Sequence, residues 1–265
     1  MSASDPVPSV AAGSSAAGSS AAGSSAAGPL ATGPLGIIVQ ARLGSTRLPR
    51  KMLLPLGGAT LLDMALARLS LVPADYRILA TDAASAPELG PVAARNGFAL
   101  VVGSAEDVLS RYCDAIRAFG LGDGLVLRAT GDNPLVCHEA AAELIRLRGG
   151  LGFDYSSYSG LPLGMGVELV SAAALLRAER EAAAPDEREH VCPHLYRNPD
   201  RFSIDRPEAP AAFRFPTGRV TVDLPEDYDI VLRLYGAYYD GSPIPSQTIL
   251  DALRSASGNQ AKAGI

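Results

Sequence analysis

Cysteine, lysine and long apolar segments are all scarce in this sequence of 265 residues. The three cysteines are an odd number without paired spacing, which argues against a disulfide framework. No segment approaches the about 20 apolar residues that span a bilayer, so we expect no membrane span. The formal net charge of −5 argues against a general nucleic-acid binder. The first residues lack the pattern of a signal peptide, and we therefore expect a cytoplasmic protein.

Lysine is the rarer of the two long basic residues. Two of the 23 basic residues are lysines, Lys51 and Lys262, and the others are arginines. Lys262 lies in the polar stretch 257–265, which is predicted to be a flexible tail. The folded part then contains one lysine, Lys51, and a compact ammonium kept at one place suggests that a point charge is needed there.

The first 35 residues repeat alanine, glycine and serine and are unlike the rest of the chain. Such a tract cannot bury enough apolar surface to offset its chain entropy. We therefore predict that residues 1–35 are a disordered arm that serves as a tether. Hydrophobic residues make up 48% of the chain, which is enough for residues 36–256 to form one domain with a real core.

Apolar runs alternate with segments of helical periodicity in the first half of this domain. Strands are predicted at 36–41, 76–81, 98–102 and 124–130, with helices between them. This alternation predicts an α/β fold with a mostly parallel sheet and helices on both faces. The second half has shorter strand-like runs, the last of them at 218–223, and predicts a small β-containing insertion.

Four cations and no acid lie within residues 42–51, directly after the first predicted strand. Ligands of open parallel sheets bind at the carboxyl ends of the strands, where this loop begins. The spacing is neither that of a Walker A motif nor G-x-G-x-x-G. The loop therefore predicts a cradle for a polyphosphate, with a solvated basic loop as the alternative. The groups suited to hold an anion are Arg42, Gly44, Ser45, Arg47 and Lys51.

Asp132 and Asp223 each follow an apolar run, at the edge where the basic loop is predicted to lie. Two carboxylates about 4 Å apart repel by about 4 kcal/mol at an effective dielectric near 20, and a divalent cation reverses that sign. Hard oxygen ligands suit Mg²⁺. The alternatives are a turn aspartate for Asp132 and a helix-cap aspartate for Asp223. Asp227 and Asp229 are predicted to be solvated charges on the first turn of a helix.

Several separated motifs resemble one enzyme family. They are "ARLGSTRLPRK", "ATD", "GSAEDVLSRY", "RATGDNPL", "EREHVCPHLY" and "VTVDLPEDYD". Together they resemble the cytidylyltransferases related to CMP-Kdo and CMP-N-acetylneuraminate synthetases, and most closely the spore-coat-polysaccharide-biosynthesis branch. The resemblance implies a Rossmann-like nucleotide-diphospho-sugar transferase fold, with residues 36–256 as the nucleotidyltransferase domain.

The resemblance also implies a reaction. CMP would pass from CTP to a sugar acid or another small acceptor, pyrophosphate would leave, and Mg²⁺ would be required. It implies surface polysaccharide or glycoconjugate synthesis as the pathway. The implied catalytic residues are Arg47, Lys51 and Asp132, and the implied metal ligands are Asp132 and Asp223. The predicted nucleotide-binding residues are Arg42, Leu43, Gly44, Ser45, Arg47, Lys51, Thr81, Asp82 and Arg128.

Residues of about 150–220 fall where the family binds its acceptor and commonly forms dimers, so a homodimer is possible. The predicted acceptor-binding residues are Glu168, Arg188, Glu189 and His190. Members of the spore-coat branch tend to read P-R-G-L-D-V-E here, whereas this chain has Leu163 in place of the arginine and Gly166 in place of the aspartate. Losing one cation and one anion should change which acceptor fits.

Other residues leave alternatives open. Arg128 is a base or phosphate contact or a strand-end surface arginine, and Asp82 contacts the nucleotide or caps a helix. The spacing of His190, Cys192 and His194 is poor for zinc, and no fourth ligand is apparent. Two other functions remain: a GT-A-like glycosyltransferase, although no Asp-x-Asp follows the fourth strand, and a catalytically silent nucleotide-binding module.

Overall fold

The computed structural model describes residues 33–263. The predicted disordered arm lies outside the described residues, apart from its last three positions. None of the helices in the described range is long and apolar enough to cross a membrane.

Nine strands form within residues 33–263, and seven of them share one sheet. They are β1 (Leu35–Gln40), β2 (Pro55–Leu56), β3 (Ala59–Thr60), β4 (Tyr76–Asp82), β5 (Ala99–Gly103), β6 (Leu125–Thr130), β7 (Tyr155–Ser156), β8 (Glu168–Ser171) and β9 (Ile204–Asp205). The order in the large sheet is β5-β4-β1-β6-β8-β7-β9, and β2 pairs with β3 in a small hairpin. The pairs β5–β4, β4–β1 and β1–β6 are parallel, whereas β8 runs antiparallel to both of its neighbours.

Nine α-helices lie in the same range of residues. They are α1 (Leu61–Leu69), α2 (Ala86–Arg95), α3 (Val108–Ala118), α4 (His138–Arg148), α5 (Ala172–Glu181), α6 (Pro185–His190), α7 (Pro193–Tyr196), α8 (Pro225–Tyr238) and α9 (Ser246–Ala263). Two 3₁₀ turns are formed by Lys51–Leu53 and Ala211–Phe213.

The central strand β1 is buried on both faces, which explains its continuous apolar sequence. Ile37 and Val39 point into the core shared with α1 and α2. Ile38, between them, points into the core shared with α3, where it meets Tyr112. Helices therefore cover both faces of a mostly parallel sheet, and the predicted α/β fold class is confirmed.

Helix α1 begins at a capping box, as the spacing of Thr60 and Asp63 predicts. The Asp63 carboxylate also accepts hydrogen bonds from Arg95 (Nε, 2.7 Å) and Asn96 (Nδ2, 2.7 Å) at the end of α2. Burial alone would raise the pKa of Asp63, but these donors and Thr60 outweigh it and lower the pKa to about 2. One carboxylate thus joins the start of one helix to the end of the next.

Two boundaries differ from the prediction. Residues 218–223 do not form a strand; their one bridge joins Arg219 to Leu163. Val220 and Val222 are buried in a third core beneath α8 and α9, so the alternating pattern reflects burial without sheet pairing. Helix α9 continues to Ala263, past residue 256, where a flexible tail was expected to begin.

Candidate active site

The basic loop 42–51 follows the carboxyl end of β1, and residues at and just after the end of β4 fix its start by hydrogen bonds. The Leu43 amide donates to Ser85 Oγ (2.9 Å), and Asp82 accepts from the Ser85 amide (2.8 Å) and hydroxyl (3.1 Å). Thr81 Oγ1 donates to the Ala41 carbonyl oxygen (2.8 Å). Leu43, Thr81 and Asp82 therefore anchor the loop, and they do not line the cavity in which we expected them to contact the nucleotide.

Lys51 lies at the end of the loop, in the 3₁₀ turn, with its ammonium between the two predicted aspartates. Its Nζ donates to Asp132 Oδ2 (2.7 Å), Asp223 Oδ1 (2.9 Å) and the Val222 carbonyl oxygen (2.8 Å). The side chain is only 8% exposed. The basic loop sequence predicts an exposed side chain at this position, whereas the structure buries the Lys51 ammonium among these three acceptors.

Asp132 follows β6 and is fixed in place by local hydrogen bonds. Its Oδ1 accepts from Thr130 Oγ1 (2.6 Å), and its carbonyl oxygen accepts from the Val222 amide (3.0 Å). This last bond joins the two aspartate-bearing segments directly. The position of Asp132 therefore depends on the chain next to Asp223.

Asp223 is positioned by Asp227, which the sequence predicted to be a solvated helix charge. Asp227 is instead buried, and its Oδ2 accepts from the backbone amides of Asp223 and Leu224 (both 3.0 Å). It also pairs with Arg219 through two bonds of 2.7 and 2.8 Å, and that arginine contacts Asp223 Oδ2 at 3.3 Å. The hydrogen bonds from Arg219 lower the pKa of Asp227 to about 2. Asp227 is thus a positioning residue that stays ionised.

A cavity of about 600 Å³ opens above these groups at the carboxyl edge of the sheet. Gly164, with φ of 96°, lets its segment dock closely, because a Cβ there would lie 2.3 Å from the Thr221 backbone nitrogen. The predicted residues that line the cavity are Arg42, Gly44, Ser45, Arg47, Lys51, Arg128, Asp132, Glu189, His190 and Asp223. The lining residues that sequence reasoning missed include Arg111, Thr130, Asn133 and Thr221.

Arg128 and Glu168 form an ion pair between neighbouring strands, β6 and β8. Arg128 also donates to Gln40 Oε1 (3.0 Å), and the Tyr155 hydroxyl donates to Glu168 Oε1 (2.8 Å). Arg128 is therefore not a surface arginine, and Glu168 lies behind it, outside the main cavity. Glu168 instead borders a second cavity of about 400 Å³, lined by Tyr155, Ser157, Tyr158, Ser159, Glu168, Tyr196 and Arg206.

The other three predicted acceptor-binding residues do not all lie in the same place. Glu189 pairs with Arg42 across the mouth of the main cavity (3.3 Å), and His190 lines it as well. Arg188 points elsewhere and pairs with Asp107, the N-cap of α3. The structure thus brings Glu189 and His190 to the cavity and leaves Arg188 in a structural role.

Two carboxylates are the protein groups that could hold a divalent cation. No group of three or more histidine, cysteine or acidic side chains within residues 33–263 is arranged to bind a metal. Asp132 and Asp223 converge on one cation already, the Lys51 ammonium, so the electrostatics of the site favour positive charge there. Two carboxylates completed by water and phosphate oxygens are a usual Mg²⁺ environment, and the residues present fit this ion.

The sequence carries a signal for some of the residues that were not predicted and none for others. Arg111 lies on α3 one turn after Val108 and beside Tyr112, so a charged residue on an apolar helical stripe was a detectable signal. The pairing of Arg219 with Asp227 was not detectable, because first-turn acids are common on solvated helices.

A mostly parallel sheet carries the cationic strand-end loop and the two facing carboxylates, and the chain is a nucleotidyltransferase. The family model for cytidylyltransferases matches residues 36–250, and the chain belongs to that family. It is 36% identical over 205 residues to the spore coat polysaccharide biosynthesis protein SpsF of Bacillus subtilis (strain 168), covering 75% of this chain and 85% of that one. The predicted family is thereby confirmed.

Two solved structures share the fold. A cytidylyltransferase from Leptospira borgpetersenii serovar Hardjo-bovis (strain JB197) aligns with a TM-score of 0.76 and 25% identity, over 84% of this chain and 95% of that one. A CMP:2-keto-3-deoxy-manno-octonic acid synthetase complexed with CTP aligns with a TM-score of 0.59 and 15% identity, over 77% of this chain and 98% of that one.

Proposed function

We propose that this protein transfers CMP from CTP to a small carboxylated acceptor, releases pyrophosphate and depends on Mg²⁺. The observation that supports this most directly is the Lys51 ammonium, held by Asp132 and Asp223 at the floor of a cavity lined by the basic loop. CTP is also the ligand of the structurally similar synthetase.

The reaction needs little covalent work from the protein. An acceptor hydroxyl oxygen attacks the α-phosphorus and its proton passes to solvent water, while the bond between that phosphorus and the oxygen that bridges to the β-phosphorus breaks, so that pyrophosphate leaves with the bridging oxygen. Positioning and charge stabilisation therefore provide most of the catalysis. Arg42 and Arg47 are exposed at the cavity, with Gly44 and Ser45 between them, and would exchange their ion pairs with Glu189 and Asp223 for contacts to the triphosphate.

Lys51 and the two aspartates would bind different charged groups during the reaction. Asp132 and Asp223 would hold Mg²⁺, which, when bound, neutralises phosphate charge and polarises the reacting phosphorus. The Lys51 ammonium, released from one or both carboxylates, would then face the leaving pyrophosphate. Asp227 keeps Asp223 oriented throughout, because its own contacts are to Arg219 and backbone amides.

The second cavity is our candidate for the anionic end of the acceptor. The Arg206 guanidinium lies over the rings of Tyr155 (5.4 Å) and Tyr196 (4.8 Å), and it has no carboxylate partner within residues 33–263. A stacked guanidinium keeps its hydrogen-bond donors at its edge available for a carboxylate. Glu168 does not oppose this, because Arg128 neutralises it.

The biological setting is proposed from the relative. A protein of spore coat polysaccharide biosynthesis is 36% identical to this chain, and we propose a role in surface polysaccharide or glycoconjugate synthesis. A cytoplasmic location and a homodimer stay predictions.

Pyrophosphate release from CTP, UTP, ATP and GTP, with and without Mg²⁺, tests the proposal. The acceptors should include a 2-keto sugar acid, a hexuronate and a neutral hexose. We expect release to require CTP, Mg²⁺ and a carboxylated acceptor. Release of a nucleoside diphosphate from a nucleotide-sugar would instead indicate a glycosyltransferase, and nucleotide binding without turnover of any acceptor would indicate a silent module.

Asp132→Asn is the matched variant for the metal. It should abolish the response to Mg²⁺, whereas Asp251→Asn, on the exposed face of α9, should leave the response unchanged. An unaltered Mg²⁺ dependence in Asp132→Asn would remove Asp132 from the metal site.

A further inference from the structure

The second cavity opens at the same edge of the sheet as the main cavity. Strands β6, β7 and β9 run in one direction, because β8 is antiparallel to both β6 and β7 and because β9 is parallel to β7. Ser157 and Arg206 directly follow β7 and β9, and Asp132 follows β6. The carboxyl ends of these three strands therefore carry residues of both cavities.

The strand order gives the distance between the two cavities. Tyr155, whose ring lies under the Arg206 guanidinium, is on β7, and the sheet places β7 two strands from β6. At about 4.8 Å per strand, the guanidinium lies about 10 Å from β6, the strand that leads to Asp132. The ion pair of Arg128 and Glu168 lies between, because Arg128 lines the main cavity and Glu168 borders the second. A ligand that uses both cavities must therefore extend across this pair.

The second cavity combines one available cation with hydroxyl groups. Asp205, the neighbour of Arg206 in the chain, does not compete for the guanidinium, because Asp205 accepts from Ser156 Oγ (2.7 Å) and pairs with Arg148 (3.3 Å). Hydroxyl groups both donate and accept hydrogen bonds, so they suit a ligand that carries hydroxyl groups itself. The residues that bring hydroxyl groups to this cavity besides Tyr155 and Tyr196 are Ser157, Tyr158 and Ser159.

We propose that the acceptor is elongated, with its carboxylate about 10 Å from the hydroxyl that receives CMP, so that the carboxylate meets Arg206 while the hydroxyl reaches the main cavity. This deepens the proposed function and rests on it. A 2-keto sugar acid that reacts through the hydroxyl next to its carboxylate spans only three bonds of about 1.5 Å between the two groups, and it cannot occupy both sites. An acidic disaccharide, with the acid on one ring and the reacting hydroxyl on the other, can do so.

A series of CMP esters measures this distance without any acceptor. In each ester the CMP phosphate is bonded to the hydroxyl oxygen of an unbranched ω-hydroxy acid, and the number of methylenes between that oxygen and the carboxylate increases along the series. With C–C bonds of about 1.5 Å at angles of about 111°, a span of about 10 Å corresponds to about eight methylenes. Dissociation constants would be measured by calorimetry for the wild type, Arg206→Ala and Arg206→Lys, with esters that end in a methyl group as matched controls.

We expect the affinity of the wild type to be highest at about eight methylenes and to exceed that for the methyl-ended ester of equal length by about 10- to 100-fold, because a charge-assisted hydrogen bond forms there. Arg206→Ala should remove this maximum and leave the shortest ester unaffected. Arg206→Lys should keep part of it, since the charge stays but the planar fork is lost. Arg180→Ala changes an exposed arginine that donates to a carbonyl of its own helix, and it should bind every ester like the wild type. Arg206 is exposed as well, so the melting temperature of its variants should stay near that of the wild type.

Two results would overturn the inference and leave nucleotidyl transfer standing. One is an affinity that falls steadily with chain length, or an equal loss in Arg206→Ala for the shortest and the longest esters, because the carboxylate would then bind next to the reacting hydroxyl. The other is equal binding of carboxylate-ended and methyl-ended esters at every length. Failure of every ester to bind, together with no release of pyrophosphate from CTP with any acceptor, would refute the proposed function itself.

Discussion

Replacing Lys51 with methionine should destabilise the protein before it ever meets a substrate. The change keeps the apolar stem but deletes an ammonium that donates to Asp132, Asp223 and the Val222 carbonyl oxygen. Two carboxylates then face each other without that cation. Breaking a buried ion pair costs about 3–5 kcal/mol. The aspartate side chains are 22% and 23% exposed and Arg47 stays near Asp223, so we expect the lower value, about 3 kcal/mol.

Urea denaturation followed by circular dichroism measures this loss. With a slope of about 3 kcal/mol per molar urea for a domain of this size, the midpoint should fall by about 1 M. Arg146→Met, on the exposed face of α4, is the control and should change the unfolding free energy by less than about 0.5 kcal/mol.

Magnesium gives the prediction its second readout. In Lys51→Met the carboxylates lack their ammonium, so millimolar Mg²⁺ without nucleotide should restore part of the lost stability. In the wild type the same Mg²⁺ should have a smaller effect, because it must displace Lys51. If Lys51→Met and the wild type unfold at the same urea concentration, or if Mg²⁺ stabilises both proteins equally, the argument for a shared cation site fails.

Three further changes test separate parts of the structure. Asp227→Asn should lose about 2 kcal/mol of stability and lower turnover with little change in KM for CTP, measured by pyrophosphate release; unchanged turnover would refute its positioning role. Arg206→Ala should raise KM for a carboxylated acceptor by about tenfold or more and leave KM for CTP alone, and an equal effect on a neutral acceptor would contradict a carboxylate contact. Asp63→Asn should cost about 2 kcal/mol at neutral pH, because the folded pKa of about 2 lies below the ordinary 3.8. That contribution is present above about pH 4 and is lost as the pH falls toward 2, so wild type and Asp63→Asn should converge in acid, and parallel curves would refute the assignment.

Much of the fold follows from local sequence. The apolar run of β1, buried on both faces, and the capping box of α1 each depend on residues within a few positions of one another. Both can therefore be recognised from the sequence without knowing which distant residues they contact. The basic loop could be assigned to the ligand edge for the same reason, since a strand's carboxyl end is defined by the chain direction. The family motifs then predicted the class of reaction, which could not be predicted from the composition.

The sequence by itself determined which elements form and which charges lie at the active edge. Only the tertiary structure decided how those charges pair: Lys51 meets Asp132 and Asp223 across 81 and 172 positions. It also decided that Arg68 has a hydrogen-bond partner for each guanidinium nitrogen while Arg111 Nε has none among the described residues, although both are buried arginines on helices. Such differences depend on which distant carbonyl or carboxylate packing brings within about 3 Å, and no local pattern encodes that distance.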